Sequence, residues 1–262
     1  MTAAPGQWDD LVARLGTAAV MAGVGLLAMW VGGIWFHILV AAASGVMVWE
    51  LGRMLGGGSS IRFVGAAAFL AVMIAGELPA VYALPVLLAP AIVGYGQVPE
   101  NRILFSLYMA GILLAGYGLM ALRDDAGFLW MAWLALVVIA TDVLGYFAGR
   151  MIGGPKFWPR VSPKKTWSGT IAGWLGALVV GVGFLATTGA GAELLVMSVL
   201  LSMAAQAGDL AESAVKRRVG VKDASSILPG HGGLFDRFDG MLGAALFLLL
   251  IASLTGFPPG SQ

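Results

Sequence analysis

Between Arg14 and Glu50 no residue of this chain carries a fixed charge and only His37 can ionise, and nothing after Asp239 ionises either. Runs of this length leave few folds open. A membrane-crossing helix needs about 20 apolar residues, within a range of about 17 to 25. Segmented at glycine, proline and charge, the chain offers candidate spans at 16–32, 34–51, 62–77, 79–95, 103–122, 127–149, 167–188, 192–210 and 240–257. The third and fourth are the weakest, being short and separated only by Glu77-Leu78-Pro79. Only 11% of the residues are charged, against about 25% in a soluble protein. The expectation is an all-α, polytopic integral membrane protein of about nine transmembrane helices, forming one domain over residues 1–262.

The segment before the first span, residues 1–15, is short and weakly amphipathic, with Trp8, Leu11, Val12 and Leu15 at helical spacing. Asp9 and Asp10 precede the apolar run, unlike the basic start of a signal peptide, so this run is expected to be a retained helix. With the N-terminus in the cytoplasm and an odd number of spans, every Lys and Arg except Arg123 falls on the cytoplasmic side, as the positive-inside rule requires. That places a polar site on the cytoplasmic side of the membrane. The chain has no cysteine, which excludes disulfides and thiolate metal sites. Gly56-Gly57-Gly58-Ser59-Ser60 reads as a flexible linker, and Glu50, Glu77, Glu100, Glu193 and His37 read as interfacial residues near span ends.

Charge concentrates in Ser213–Asp239, SAVKRRVGVKDASSILPGHGGLFDRFD. Pro229-Gly230-His231-Gly232-Gly233 cannot continue a helix or strand, and glycine lets a ligand approach the main chain. Basic side chains, a Gly-rich turn and paired carboxylates together describe a site for phosphate and a divalent cation. The same residues also admit a solvated loop between two membrane helices. Three further places carry charge at unusual depth or density. Asp142 lies inside the sixth span, where an acid costs about 2.5 to 3.5 kcal/mol to insert, with Tyr146 and Arg150 on its face. Residues 150–167, RMIGGPKFWPRVSPKKTW, hold basic residues and no acid, and their prolines exclude a long helix; nonspecific binding of anionic lipid is the plainer reading of such a cluster. Asp209, Glu212 and Lys216 share one face if the eighth helix continues.

The stretch 213–239 resembles the signature of the phosphatidate cytidylyltransferase (CDP-diacylglycerol synthase) family. Ser213, Lys216, Arg217, Lys222, Asp223, Pro229, His231, Gly232, Gly233, Asp236, Arg237 and Asp239 fill the fixed places of that pattern. Ser162-Pro163-Lys164-Lys165-Thr166-Trp167 resembles a second family motif, usually ending in Glu-Gly, where this chain has Ser168-Gly169. The aspartate–tyrosine relation at Asp142 and Tyr146, with Gly145 and Gly149, and the Gly208-Asp209 pair also have family counterparts.

The resemblance implies that CTP and phosphatidic acid give CDP-diacylglycerol and pyrophosphate in phospholipid biosynthesis. It makes Asp209 and Asp236 the metal ligands, and Asp209, Asp236, Lys222, Arg237 and Asp239 the catalytic set. Asp142, Ser162, Lys164, Lys165, Thr166, Ser213, Lys216, Arg217, Asp223, His231, Gly232 and Gly233 would bind substrate. Oxygen-only ligation suits Mg2+, whereas zinc is disfavoured with only His37 and His231 available. Room is left for a second, monovalent cation and for a homodimer; a nucleic-acid partner is not expected. Glu212 is read as an interfacial acid outside the metal set. Two other classes stay open: a CTP-dependent lipid-alcohol kinase, which would need a base such as His231 or Asp239, and a transporter of anionic solutes, which would put charge at the midplane of two related halves.

Overall fold

The structure, a computed structural model, describes residues 7–228, 230 and 232–258, with side chains from Gly16 onward. The expected amphipathic stripe at Trp8, Leu11, Val12 and Leu15 therefore lies outside the described side chains, and Pro229 and His231 lie outside the described residues. Among those described there are nine α-helices: α1 (Gln7–Val31), α2 (Gly33–Met54), α3 (Ile61–Gly76), α4 (Ala80–Gly94), α5 (Arg102–Ala121), α6 (Phe128–Met151), α7 (Trp167–Thr188), α8 (Glu193–Arg218) and α9 (Phe235–Thr255). Each coincides with one of the apolar runs.

Six of the helices are long and apolar enough to cross a membrane: α2, α5 with its extension to Ala126, and α6 through α9. This defines an integral membrane protein. The apolar parts of α1, α3 and α4 are shorter. At about 1.5 Å per residue, the 16 residues of α3 reach about 24 Å, less than the ~30 Å hydrocarbon layer.

Two local features differ from the expectation. Residues 156–166 form an antiparallel hairpin, β1 (Lys156–Trp158) and β2 (Ser162–Thr166), with Lys156 opposite Thr166 and Trp158 opposite Ser162. The prolines that forbid helix there leave the extended backbone that a short ribbon needs. The glycine run after α2 is a built helix stop rather than a plain linker. Gly56, at φ +82°, donates to Arg53 O (3.1 Å), and Gly57 donates to Gly52 O (2.8 Å). These are the two bonds of a Schellman motif, which satisfy carbonyls the helix end would otherwise orphan.

The chain divides into two compact units, one of residues 1–109 and 221–237 and the other of residues 110–220 and 238–262. In the first, α3 packs on α2 and α4. A side chain at Gly45 would meet Gly65 O at 2.7 Å and one at Gly65 would meet Gly45 O at 2.8 Å, so α2 and α3 touch backbone to backbone, as small residues permit in lipid. In the second unit α7 packs on α6 and α8. Gly145 and Gly169 form the same kind of contact between α6 and α7.

Polar rungs fix the height of α8. Trp133 Nε1 donates to Ser198 Oγ (2.9 Å) and Thr141 Oγ1 to Ser202 Oγ (2.7 Å). Trp174 Nε1 donates to Gln206 Oε1 (2.9 Å), whose Nε2 donates to Thr170 O (3.1 Å). One turn beyond the last rung stands Asp209.

Candidate functional site

In the second unit the charges come from three helices and the hairpin. The α8 helix continues through Asp209 to Arg218, so Asp209, Glu212 and Lys216 do share a face. Lys165 on β2 reaches across to α8, its Nζ 2.5 Å from Asp209 Oδ2, and Ser213 Oγ donates to Asp209 Oδ1 at 3.3 Å. Lys216 Nζ lies 2.5 Å from Glu212 Oε2. Glu212 is fully buried, which corrects its reading as an interfacial acid: a carboxylate removed from water must be paired, and the cation one turn on supplies the pairing.

Asp239, on α9, lies within electrostatic range of Asp209 and Lys216 on α8 and of Asp142 on α6. Its Oδ1 accepts the Gly240 amide at 2.7 Å. The helices carrying it and Asp209 meet closely, since a side chain at Gly208 would strike Asp239 O and the Gly243 backbone. Arg150 donates to Tyr146 OH at 2.8 Å on the exposed end of α6. The hairpin is tied down at the C-terminal end of its second strand. Thr166 caps α7, accepting the Gly169 amide at 3.2 Å, and Ser168 Oγ lies 2.9 Å from Thr166 Oγ1 and donates to Gly153 O. Ser168 thus fastens the hairpin to the chain leaving α6. Ser162 is half-buried and Lys164 exposed on β2, and Arg217 is exposed in the last turn of α8.

The first unit holds the Gly-rich loop. Asp236, in the first turn of α9, accepts the Ala224 amide on both oxygens (2.9 and 3.1 Å) and the Gly233 amide on Oδ2 (2.7 Å). Gly232 has φ +84°, and a side chain there would come within 2.8 Å of Asp236 Oδ2; both facts demand glycine. Leu228 N donates to Gly232 O at 2.9 Å, closing the turn. Lys222, Asp223 and Arg237 are exposed.

Beneath this loop sits Glu50, fully buried on α2. Its Oε1 accepts Ser225 Oγ (2.6 Å) and Leu234 N (3.0 Å), and its Oε2 accepts Phe235 N (2.7 Å). This overturns its reading as an interfacial acid. The apolar run ends at 51, which places Glu50 at its end, but α2 continues to Met54. The rule that flagged Asp142, an acid within a membrane-length helix, flags Glu50 once the helix end is known. His37 is buried near the start of α2, with Nδ1 3.5 Å from Oε1 of the exposed Glu77.

Among the described residues no three acidic or imidazole side chains gather into a ready metal site; the hard donors present are aspartate oxygens, with Asp209 held by Lys165. Mg2+ is bound by one or two carboxylates together with substrate phosphates.

A sequence profile described as the Cytidylyltransferase family matches residues 12–255. The chain belongs to this family. It is 45% identical over 156 residues to a phosphatidate cytidylyltransferase of Brucella abortus, covering 57% of this chain and 58% of that protein. It is 37% identical over 160 residues to the phosphatidate cytidylyltransferase of Helicobacter pylori, covering 60% and 59%. With that of Staphylococcus saprophyticus it shares 36% over 159 residues, covering 58% and 61%. The chain thus spans about three fifths of the length of these curated relatives.

Proposed function

We propose that the protein transfers a cytidylyl group from CTP to phosphatidic acid, forming CDP-diacylglycerol and releasing pyrophosphate. The observation that carries this is the lysine–aspartate contact between β2 and α8, next to further acids and cations on α6, α8 and α9. A lysine paired with a carboxylate can be handed to a phosphate, and the carboxylate to a cation. The relatives' names and the signature on the amide-bound loop support the same substrates.

In the reaction a phosphate oxygen of the lipid attacks the α-phosphorus of CTP, and the bond from that phosphorus to the β-phosphate oxygen breaks. A phosphomonoester has its second pKa near 6, so the nucleophile is already mostly dianionic at neutral pH and no strong base is needed. Lys164, Lys165, Lys216, Arg217, Lys222 and Arg237 gather two anionic substrates and offset the charge of the leaving pyrophosphate. Gly232 leaves the loop backbone open to phosphate oxygens, whereas the Gly233 amide is already given to Asp236, so its share in phosphate binding passes through the shape of the turn. Asp142, Ser162, Thr166, Ser213, Asp223, Asp239 and His231 complete the polar wall in this reading. Mg2+, with Asp209 and Asp236 as its carboxylate ligands by the motif resemblance, would supply further positive charge to the phosphates. Catalysis is then positioning and electrostatics.

The reading takes both units as one domain in a bacterial inner membrane, with nine spans and the N-terminus and site cytoplasmic. It requires neither a second, monovalent cation nor a homodimer. Single cysteines introduced at 158 and 226 should label from the same, cytoplasmic side; labelling from opposite sides defeats this arrangement. The acceptor tests the chemistry. Phosphatidic acid should be consumed while diacylglycerol and polyprenols are not, and the rate should rise from about pH 6 to pH 8 as the lipid phosphate loses its second proton. Equal turnover of a neutral lipid alcohol rules the proposal out.

A further inference from the structure

We infer that Glu50 is a positioning residue of the site, acting through the loop that carries Lys222, Asp223, Gly232 and Gly233. What the loop does rests on the cytidylyltransferase reading; how it is held rests on geometry. The Glu50 carboxylate is fully buried and receives one hydroxyl and two backbone amides, all from Ser225, Leu234 and Phe235. No local propensity makes these bonds, since the partners lie 175 to 185 residues along the chain. Bonds from N–H and O–H to an ionised acceptor are stronger than neutral ones. The two amides also open α9, where the helix dipole favours negative charge.

The fit is tight on the loop side. A side chain at Gly233 would come within 2.7 Å of Glu50 Oε1, so the carboxylate and the absence of a Cβ define one another. With Asp236 drawing in the amides of Ala224 and Gly233, the two carboxylates hold adjacent residues on both arms of the turn, 224 and 225 on one and 233 to 235 on the other. Glu50 holds the loop through two backbone amides and the Ser225 hydroxyl and, among the described residues, bonds none of Lys222, Asp223 and Arg237, so its effect on turnover must pass through loop position.

The test uses the full chain in detergent micelles. Glu50→Gln preserves size, but either orientation of the amide sets an NH2 against a donor. Hydrogen exchange at Leu234 and Phe235 should accelerate at least about tenfold, as expected when a charge-assisted bond is lost. Its kcat should fall by a similar factor while the melting transition persists. Faster exchange with wild-type kcat makes Glu50 merely structural and overturns the inference; so does lost activity with unchanged exchange. A second pair of variants reads the same contact if Glu50→Gln does not fold. Gly233→Ala should be nearly inactive, and adding Glu50→Asp, which withdraws the carboxylate from the new methyl, should restore at least about threefold, a coupling beyond additivity. Additive losses overturn it. A wild-type protein that forms no cytidylylated lipid contradicts the reaction instead, and the exchange measurement then decides the anchoring alone.

Discussion

The two units use carboxylates for different ends. In the loop of residues 221–237, Glu50 and Asp236 accept backbone amides. On α8, Asp209 and Glu212 face the ammonium groups of Lys165 and Lys216. An amide bound to a carboxylate fixes the path of the chain, and losing it changes shape. A lysine on a flexible stem can leave for a phosphate without moving the backbone. The loop's acids therefore shape the backbone, Asp236 in addition to the ligand role proposed for it, whereas the Lys165–Asp209 pair holds charge in reserve.

Substitutions sharpen the contrast. The largest effect is expected from Asp209→Asn and Asp236→Asn, each losing at least about 100-fold in turnover, the scale of removing a group that stabilises developing charge. They should fail differently. Asp236→Asn should raise hydrogen exchange at Ala224 and Gly233, while Asp209→Asn should leave the backbone as it was. Identical exchange in the two variants breaks the division into shape and charge.

Gly232→Ala comes next. The left-handed backbone and the Asp236 contact should cost about 1–3 kcal/mol locally, read as strong loss of activity with loosened loop amides. Lys165→Met should weaken apparent CTP affinity with exchange unchanged, by a factor of about 10, since one charge-assisted contact is removed. Thr166→Ala removes the cap of α7 and should lower stability by about 1 kcal/mol, visible in the melting transition. Glu193→Gln, whose exposed carboxylate accepts the nearby Gly191 amide, should match wild type within about 0.5 kcal/mol.

Much of this was legible in the sequence, because the information was local. Apolar runs of membrane length dictate helices whatever their neighbours, and each run became one. The charged signature needed no fold to be noticed, and the shared face of Asp209, Glu212 and Lys216 followed from helical period once α8 continued. The missing parts depended on distant partners. Glu50 looked like a span-end acid because its three donors lie far along the chain, at Ser225, Leu234 and Phe235. Glu212 looked interfacial because nothing in a linear reading says that its helix face is buried. The hairpin at 156–166 escaped because prolines announce what a segment cannot be, and strand pairing between Lys156 and Thr166 is a choice made in three dimensions. The glycine run at 56–58 misleads for the opposite reason: composition suggests freedom, while the bonds to Gly52 and Arg53 use those glycines to stop a helix.

The central claim is that the lipid phosphate attacks the α-phosphorus of CTP, and the fate of labelled phosphorus tests it most directly. With purified protein, phosphatidic acid and Mg2+, label in the α-phosphate and in cytosine should both enter the lipid, while γ-label leaves as pyrophosphate. Transfer of γ-label to a lipid, with CDP released and no cytidine in the lipid product, would contradict the account.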